Sequence, residues 1–395
     1  MNSKKKILII SMAYYPRFIG GAEVAIRELT DRLSDEYEFY MITLRYDKNL
    51  PKVSREGNVL VHRIGPGFSN VTISDLRKIH FRLLKIWFQF GAFLAARRLH
   101  RVEQFSCLWS MMAHTAGVPG GLFKRFHRDV PYVLTLQEGD PPQHIENQMR
   151  LFGSLFDDAF ARADIVQAIS VFLGDWGMHM GAHEVAVIPN GVNVARFSTD
   201  VIHSKRSELR EEFGVPENAQ LFITSSRLVP KNGIDLVIQA LPLLPDTTHF
   251  LVAGAGPEKL RLQAQVREVG MEARVHFAGE VSQKELPYYL GASDFFIRAS
   301  RSEGQGIAFI EALASGLPTI GTDVGGIPDF LHEGETGFMA ETCDREGVAS
   351  AMLRALEDPD HTKEVARKGQ FLSKEYDWAI IAERMKREVF EPLWK

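Results

Sequence analysis

Glu303 and Glu311 are the residues whose type and spacing most readily do chemistry. They lie in the stretch SRSEGQGIAFIEALASG between Ser300 and Gly316. They bracket a turn made of Gly304, Gln305 and Gly306, after which Ile307, Ile310, Leu313 and Ala314 recur at helical spacing. Glu303 is therefore expected on a loop and Glu311 inside a helix. Eight helical residues span about 12 Å, a separation that suits the two ends of an elongated ligand such as a nucleoside-diphosphate sugar. The glycines allow close backbone approach, and the N–H groups at the helix start can face an anion. An ordinary strand–turn–helix with an acid at each end accounts for the spacing equally well, so the pair needs partners elsewhere.

The elements that would supply them alternate along the chain. Ile7–Ser11 is a continuous apolar run, as expected of a strand covered on both faces. It is followed by a loop carrying Gly20 and Gly21 and by a helix marked by Val24, Ile26, Leu29 and Leu33. This is an anion-cradling arrangement, or else a turn that simply needs glycine. It lacks the G-x-G-x-x-G spacing, which disfavours an NAD-dependent oxidoreductase. His114 follows the strand Cys107–Met111, at a strand end where open α/β sheets bind ligands. Gln137 and Glu138 follow Tyr132–Leu136, either to meet hydroxyl groups or as a polar turn closed by Pro141 and Pro142. A second alternation begins at Leu221. Arg227 and Lys231 follow its first strand and suit a diphosphate, or are solvated cations. Gly254 and Gly256 form another glycine turn after the strand beginning at His249. Asp358-Pro359-Asp360 is the one D-x-D sequence, and it reads as a turn between two late helices, so no metal is expected.

With 395 residues, 45% of them apolar, the chain is expected to form two domains. The net charge of −4 gives no pull toward nucleic acid. Cys107 and Cys343 lack ligand spacing and fit a reducing, cytoplasmic setting. The lysines before Ile7 mimic a signal peptide, but the short run reads as a first strand. No apolar run is long enough to span a membrane. Residues 75–101 differ in character. Arg77, Lys78, Arg82, Lys85, Arg97, Arg98 and Arg101 interleave with Leu83, Trp87, Phe88, Phe90 and Leu94. Such a helix can lie reversibly on an anionic membrane surface, or serve as scaffold with a solvated basic face.

The run Ser300–Gly316 resembles the E-x7-E signature of retaining glycosyltransferases with the GT-B fold, of the family-4 type. The resemblance continues through Ala292-Ser293-Asp294-Phe295, Gly316-Leu317-Pro318, Asp323-Val324-Gly325-Gly326-Ile327-Pro328 and Gly334-Glu335-Thr336-Gly337. It implies two Rossmann-like domains facing across an interdomain cleft. These are an acceptor-side domain over 1–195, a nucleotide-sugar domain over 196–375, and a helix over 376–395 that crosses back to the first. The implied reaction moves a hexosyl unit from a nucleoside-diphosphate sugar to the hydroxyl of a carbohydrate or lipid-linked acceptor, with retention and without a metal or other cofactor. The resemblance places Gly20 and Gly21 on the donor diphosphate, His114 near the transferring sugar, and Arg227 and Lys231 on the phosphates. It sets Gly254, Gly256 and Val281 beside the nucleotide. Glu303 and the backbone of Gly304, Gln305, Gly306 and Ile307 fall on the sugar, and Glu311 on the ribose. Two positions depart from the pattern. Gln137 and Glu138 stand where many members have histidine and aspartate, and the usual lysine position after Arg227 holds Asn232. A nucleotide-sugar epimerase or hydrolase, or a non-catalytic binding partner, are the alternatives on the same fold.

Overall fold

The computed structural model describes residues 4–17, 20–68, 79–197, 202–341 and 343–395. The chain forms two compact units, Met1–Asn190 with Trp378–Lys395, and Gly191–Asp377.

The first unit is built on β1 (Lys5–Ile10), β2 (Tyr37–Leu44), β3 (Val53–Glu56), β4 (Val59–Ile64), β5 (Cys107–Met111), β6 (Tyr132–Leu136), β7 (Ile165–Ala168) and β8 (Val185–Val187). Their spatial order is β3-β4-β2-β1-β5-β6-β7-β8, and every neighbouring pair is parallel except β3 with β4. The unbroken apolar run of β1 follows from this topology. Leu8 and Ile10 enter a core with Phe88, Phe123 and Leu134, while Ile7 and Ile9 enter another with Ala25, Ile26 and Trp109. Alternate side chains of a central strand must both find apolar cover. The helix Trp378–Met385 belongs to this second core through Trp378, Ile381, Ala382 and Met385. Burying Ile381 and Met385 contributes roughly 1.5–3 kcal/mol each, which anchors the chain's last segment here.

The second unit contains β9 (Gln220–Ser225), β10 (Thr248–Ala253), β11 (Val275–Gly279), β12 (Phe295–Ile297), β13 (Thr319–Thr322) and β14 (Phe338–Ala340), all parallel, in the order β11-β10-β9-β12-β13-β14. The division falls at Asn190 rather than after residue 195. Val192 bridges to Asp377 and donates its N–H to the Tyr376 carbonyl at 2.8 Å, and Phe197 is buried in the second unit's core.

Each sheet has one place where chain direction reverses. From β1 the chain runs out through β2 and β4, then returns to β5 on the other side of β1. From β9 it runs through β10 and β11, then returns to β12 on the other side of β9. Ligands of open α/β sheets bind outside the strand carboxyl ends at such a switch. The sequence candidates fall at these ends: Gly20 after β1, His114 after β5, Arg227 after β9 and Glu303 after β12.

Candidate functional site

In the first unit, the helix Gly21–Arg32 opens with Gly20 in extended backbone at its N-cap. The Gly20 N–H donates to Glu23 Oε2 at 2.8 Å, and burial pushes the Glu23 carboxyl above its ordinary range. Gly20 and Gly21 are both exposed. The neighbouring strand end is more unusual. Met112 has φ +70°, sparsely populated for a residue with a side chain, and the chain then enters a π-helical turn, Ala113–Gly117. Surrounding bonds hold that conformation. Met112 donates its N–H to the Thr135 carbonyl at 2.8 Å, and the buried Gln89 amide donates to the carbonyls of His114 at 3.4 Å and Thr115 at 3.2 Å. Backbone held in such conformations clusters at functional sites.

The turn delivers His114 to Glu138. Imidazole Nδ1 lies 3.2 Å from Glu138 Oε1, and the carboxylate side chain is 0% exposed. The other carboxylate oxygen accepts the Gln137 N–H at 2.8 Å. Since an ionised carboxylate can only accept, it calls for the proton on Nδ1, which in the neutral imidazole leaves Nε2 as the acceptor. The two residues at the end of β6 are engaged with protein partners. Glu138 is turned inward onto His114, and the Gln137 amide exchanges hydrogen bonds with Asn190 at 3.0 and 3.1 Å.

In the second unit, Arg227 is exposed, and among the described residues no side chain pairs with it. Asn232 has a structural role: its buried amide donates to the Arg227 carbonyl at 2.7 Å. Lys231 sits in the turn Pro230–Asn232, where its carbonyl accepts the Arg301 N–H at 2.7 Å. The glycine turn after β10 lies against this loop. Gly254 has φ +149°, and a Cβ there would overlap the Ser226 carbonyl oxygen. A Cβ on Gly256 would overlap the Leu228 backbone. Val281 is half-buried against the core that includes Phe309 and Ile310.

After β12 the chain supplies a group that sequence reasoning missed. Arg298 is buried and forms an ion pair with Glu303 through Nη2 and Oε2. Its Nε donates to Ser300 Oγ at 3.1 Å, and its guanidinium carbon lies 4.8 Å from the Phe309 ring centroid. The signal was a lone cation in FFIRAS, at the end of an apolar strand. Gly304, Gln305 and Gly306 are buried and lead into the helix Ile307–Ala314. That helix carries Glu311, which is only 8% exposed. Burial pushes its carboxyl from an ordinary 4.5 up to about 7, against the pull of Arg196 and Arg298. Among the described residues no donor reaches the Glu311 carboxylate, although buried polar groups normally have partners. Among the described residues the unit thus presents a cation with no side-chain partner, a positioned carboxylate and a largely buried carboxylate that meets no donor. Asp358 caps the helix Pro359–Ser373 by accepting from the N–H groups of Asp360 and His361. Among the described residues, no cluster of three or more His, Cys, Asp or Glu side chains could hold a metal ion.

Two family models match the chain. Glycosyltransferase Family 4 covers residues 19–196, and Glycosyl transferases group 1 covers residues 205–371. The chain is 29% identical over 215 residues to the GDP-mannose-dependent alpha-(1-6)-phosphatidylinositol monomannoside mannosyltransferase of Mycobacterium tuberculosis, covering 52% of this chain and 55% of that protein. It is 31% identical over 205 residues to the N-acetyl-alpha-D-glucosaminyl L-malate synthase of Bacillus anthracis, covering 50% and 52%. The chain thus spans about half the length of these curated relatives. An uncharacterized glycosyltransferase of Methanocaldococcus jannaschii aligns over 98% of both chains at 25% identity. Among solved structures, the sucrose-phosphate synthase of Thermosynechococcus elongatus superposes with a TM-score of 0.81 at 20% identity over 99% of each chain. Anabaena HepE in complex with UDP and glucose gives 0.75 at 21%, over 98% of this chain and 100% of that one.

Proposed function

Because the chain belongs to the GT-B glycosyltransferases, we propose that it moves a hexosyl unit from a nucleoside-diphosphate sugar to an acceptor hydroxyl with retention of configuration. The observation that carries this reading is the charge pattern beyond β9 and β12. An exposed Arg227 with no side-chain partner among the described residues stands on one strand-end loop, and Glu303 lies beyond the adjacent strand with Glu311, whose carboxylate meets no donor among those residues. Arg227 and Lys231 neutralise the leaving diphosphate, with the helix opening at Gly21 as a second anion-facing element. Glu311 accepts hydrogen bonds from the ribose. Glu303 and the backbone around Gln305–Ile307 hold the sugar. His114, its tautomer set by Glu138, offers Nε2 as a hydrogen-bond acceptor to the transferring sugar. The leaving phosphate takes the acceptor proton on the face from which it departs, so protein groups act by position and charge. No divalent metal is assigned a step.

The acceptor is a bacterial surface polysaccharide or glycolipid, met at the cytoplasmic face of a membrane. Supporting this, the helix Ile79–Glu103 presents Leu83, Trp87, Phe90 and Leu94 at exposures of 60, 45, 45 and 60%. Their spacing aligns them along one face, with exposed Arg98 and Arg101 toward the helix end. Residues 75–78, part of the expected basic stretch, lie outside the described residues. No described helix is long and apolar enough to cross a membrane. A thermal-shift panel of UDP-, GDP- and ADP-sugars, without metal and then with magnesium, tests the reading. One donor is expected to raise the melting temperature in the absence of metal. No shift from any donor in either condition would overturn it.

A further inference from the structure

Arg298 lies one residue beyond β12, and its only strand duty is to donate its N–H to the Ile320 carbonyl at 3.2 Å. A buried cation there demands a reason, because taking a charge out of water costs several kcal/mol unless it is paired. The guanidinium is fixed on three sides by Ser300 Oγ, the Phe309 face and the Glu303 carboxylate. Its planar fork therefore imposes an orientation on Glu303. The other Glu303 oxygen accepts the Gly304 N–H at 3.1 Å, and the side chain keeps 17% of its surface open to meet a ligand.

We propose that Arg298 is the positioning residue of Glu303: paired with its carboxylate and locked by Ser300 and the Phe309 ring, it aims Glu303 at the transferring sugar. This rests on the glycosyl-transfer reading.

The test compares Arg298→Gln, Arg298→Lys, Glu303→Gln and the double variant Arg298→Gln/Glu303→Gln in steady-state transfer from the donor identified by the panel. Losing the charge-assisted contact that aims Glu303 is expected to lower kcat about tenfold or more in Arg298→Gln, with donor KM changed less than about threefold. Arg298→Lys recovers part of the loss. The double variant falls within about twofold of Glu303→Gln alone, because Arg298 acts through Glu303. Wild-type kcat in Arg298→Gln, or losses that multiply in the double variant, would overturn the proposal. Should Arg298→Gln not fold, the same cycle is run with Arg298→Lys. If the wild type binds no nucleotide-sugar, the transfer reading fails alone. The ion pair is then read from melting temperatures without donor, where Arg298→Gln leaves the Glu303 carboxylate unpaired and must destabilise more than the double variant. A double variant less stable than Arg298→Gln would sink it.

Discussion

Replacing Glu311 with glutamine should stabilise the protein relative to wild type progressively as pH rises. In the fold the carboxyl is largely buried, meets no donor among the described residues, and is pushed by burial up to about 7, against an ordinary value of 4.5. Between those values the folded state keeps a proton that the unfolded chain has released. The contribution to stability is therefore whole below pH 4.5 and is lost as pH rises through 7. At about 1.4 kcal/mol per pH unit, the loss is on the order of 3 kcal/mol across the window, and roughly 2 kcal/mol between pH 5 and pH 8. Glutamine keeps the shape but cannot ionise. The stability difference, variant minus wild type, should therefore grow by roughly 2 kcal/mol from pH 5 to pH 8. For a unit of this size that is a relative rise in melting temperature of about 4–8 °C. Thermal denaturation of both proteins without ligand, at pH 5, 6, 7 and 8 and constant ionic strength, reads this directly. Any fixed cost of burying an amide shifts both ends of the curve equally and drops out of the comparison. Melting curves that stay parallel in pH would refute the reasoning, since they would mean that Glu311 ionises as an ordinary exposed carboxyl. The same variant should lose donor-induced stabilisation at pH 8, as expected when a group strained in the free protein is satisfied by its ligand.

Three other perturbations probe separate parts of the molecule. Glu138→Gln removes the anion that fixes the His114 tautomer and should lower kcat/KM for transfer about tenfold while leaving the fold intact; activity within twofold of wild type would remove Glu138 from the site. Gly254→Ala drives a Cβ into the Ser226 carbonyl oxygen and should cost about 2–3 kcal/mol in denaturant unfolding. Gly214→Ala, at φ +63° with open space around it, should cost only about 1 kcal/mol, and equal losses would deny the close approach. Trp87→Ser with Phe90→Ser should weaken flotation with phosphatidylglycerol vesicles about tenfold or more, because two aromatic anchors leave the exposed stripe. Unchanged flotation would leave that helix as scaffold.

Much of the architecture is written locally. The runs at Ile7–Ile10, Cys107–Met111 and Tyr132–Leu136 are buried on both faces, and an unbroken apolar segment is the direct imprint of that environment. Glu303 on a loop and Glu311 within a helix follow equally from the glycine turn and the apolar spacing after it. β13 was not legible, because Thr319–Thr322 reads TIGT and becomes a strand through pairing with β12 and β14 rather than through its own pattern. Arg298 was missed for a related reason. A cation at a strand end is ordinarily solvated, and what buries this one is Glu303 and the Phe309 ring, which only the folded loop brings to it.

The helix Ile79–Glu103 shows where periodicity itself fails. Leu84, Phe88, Ala92 and Ala96 form the seam packed on the first unit's core, while Leu83, Trp87, Phe90 and Leu94 form a second stripe facing outward. Two apolar stripes on one helix read, in sequence, as a helix that is apolar nearly all round. No count of spacings can say which stripe meets the core, because both satisfy the same repeat. Size separates them: alanines occupy half of the inner seam, where the helix must approach the sheet closely, and the larger side chains stand outside. The scaffold reading and the proposed membrane contact both start from this outward stripe, and flotation of the Trp87 and Phe90 variant decides between them.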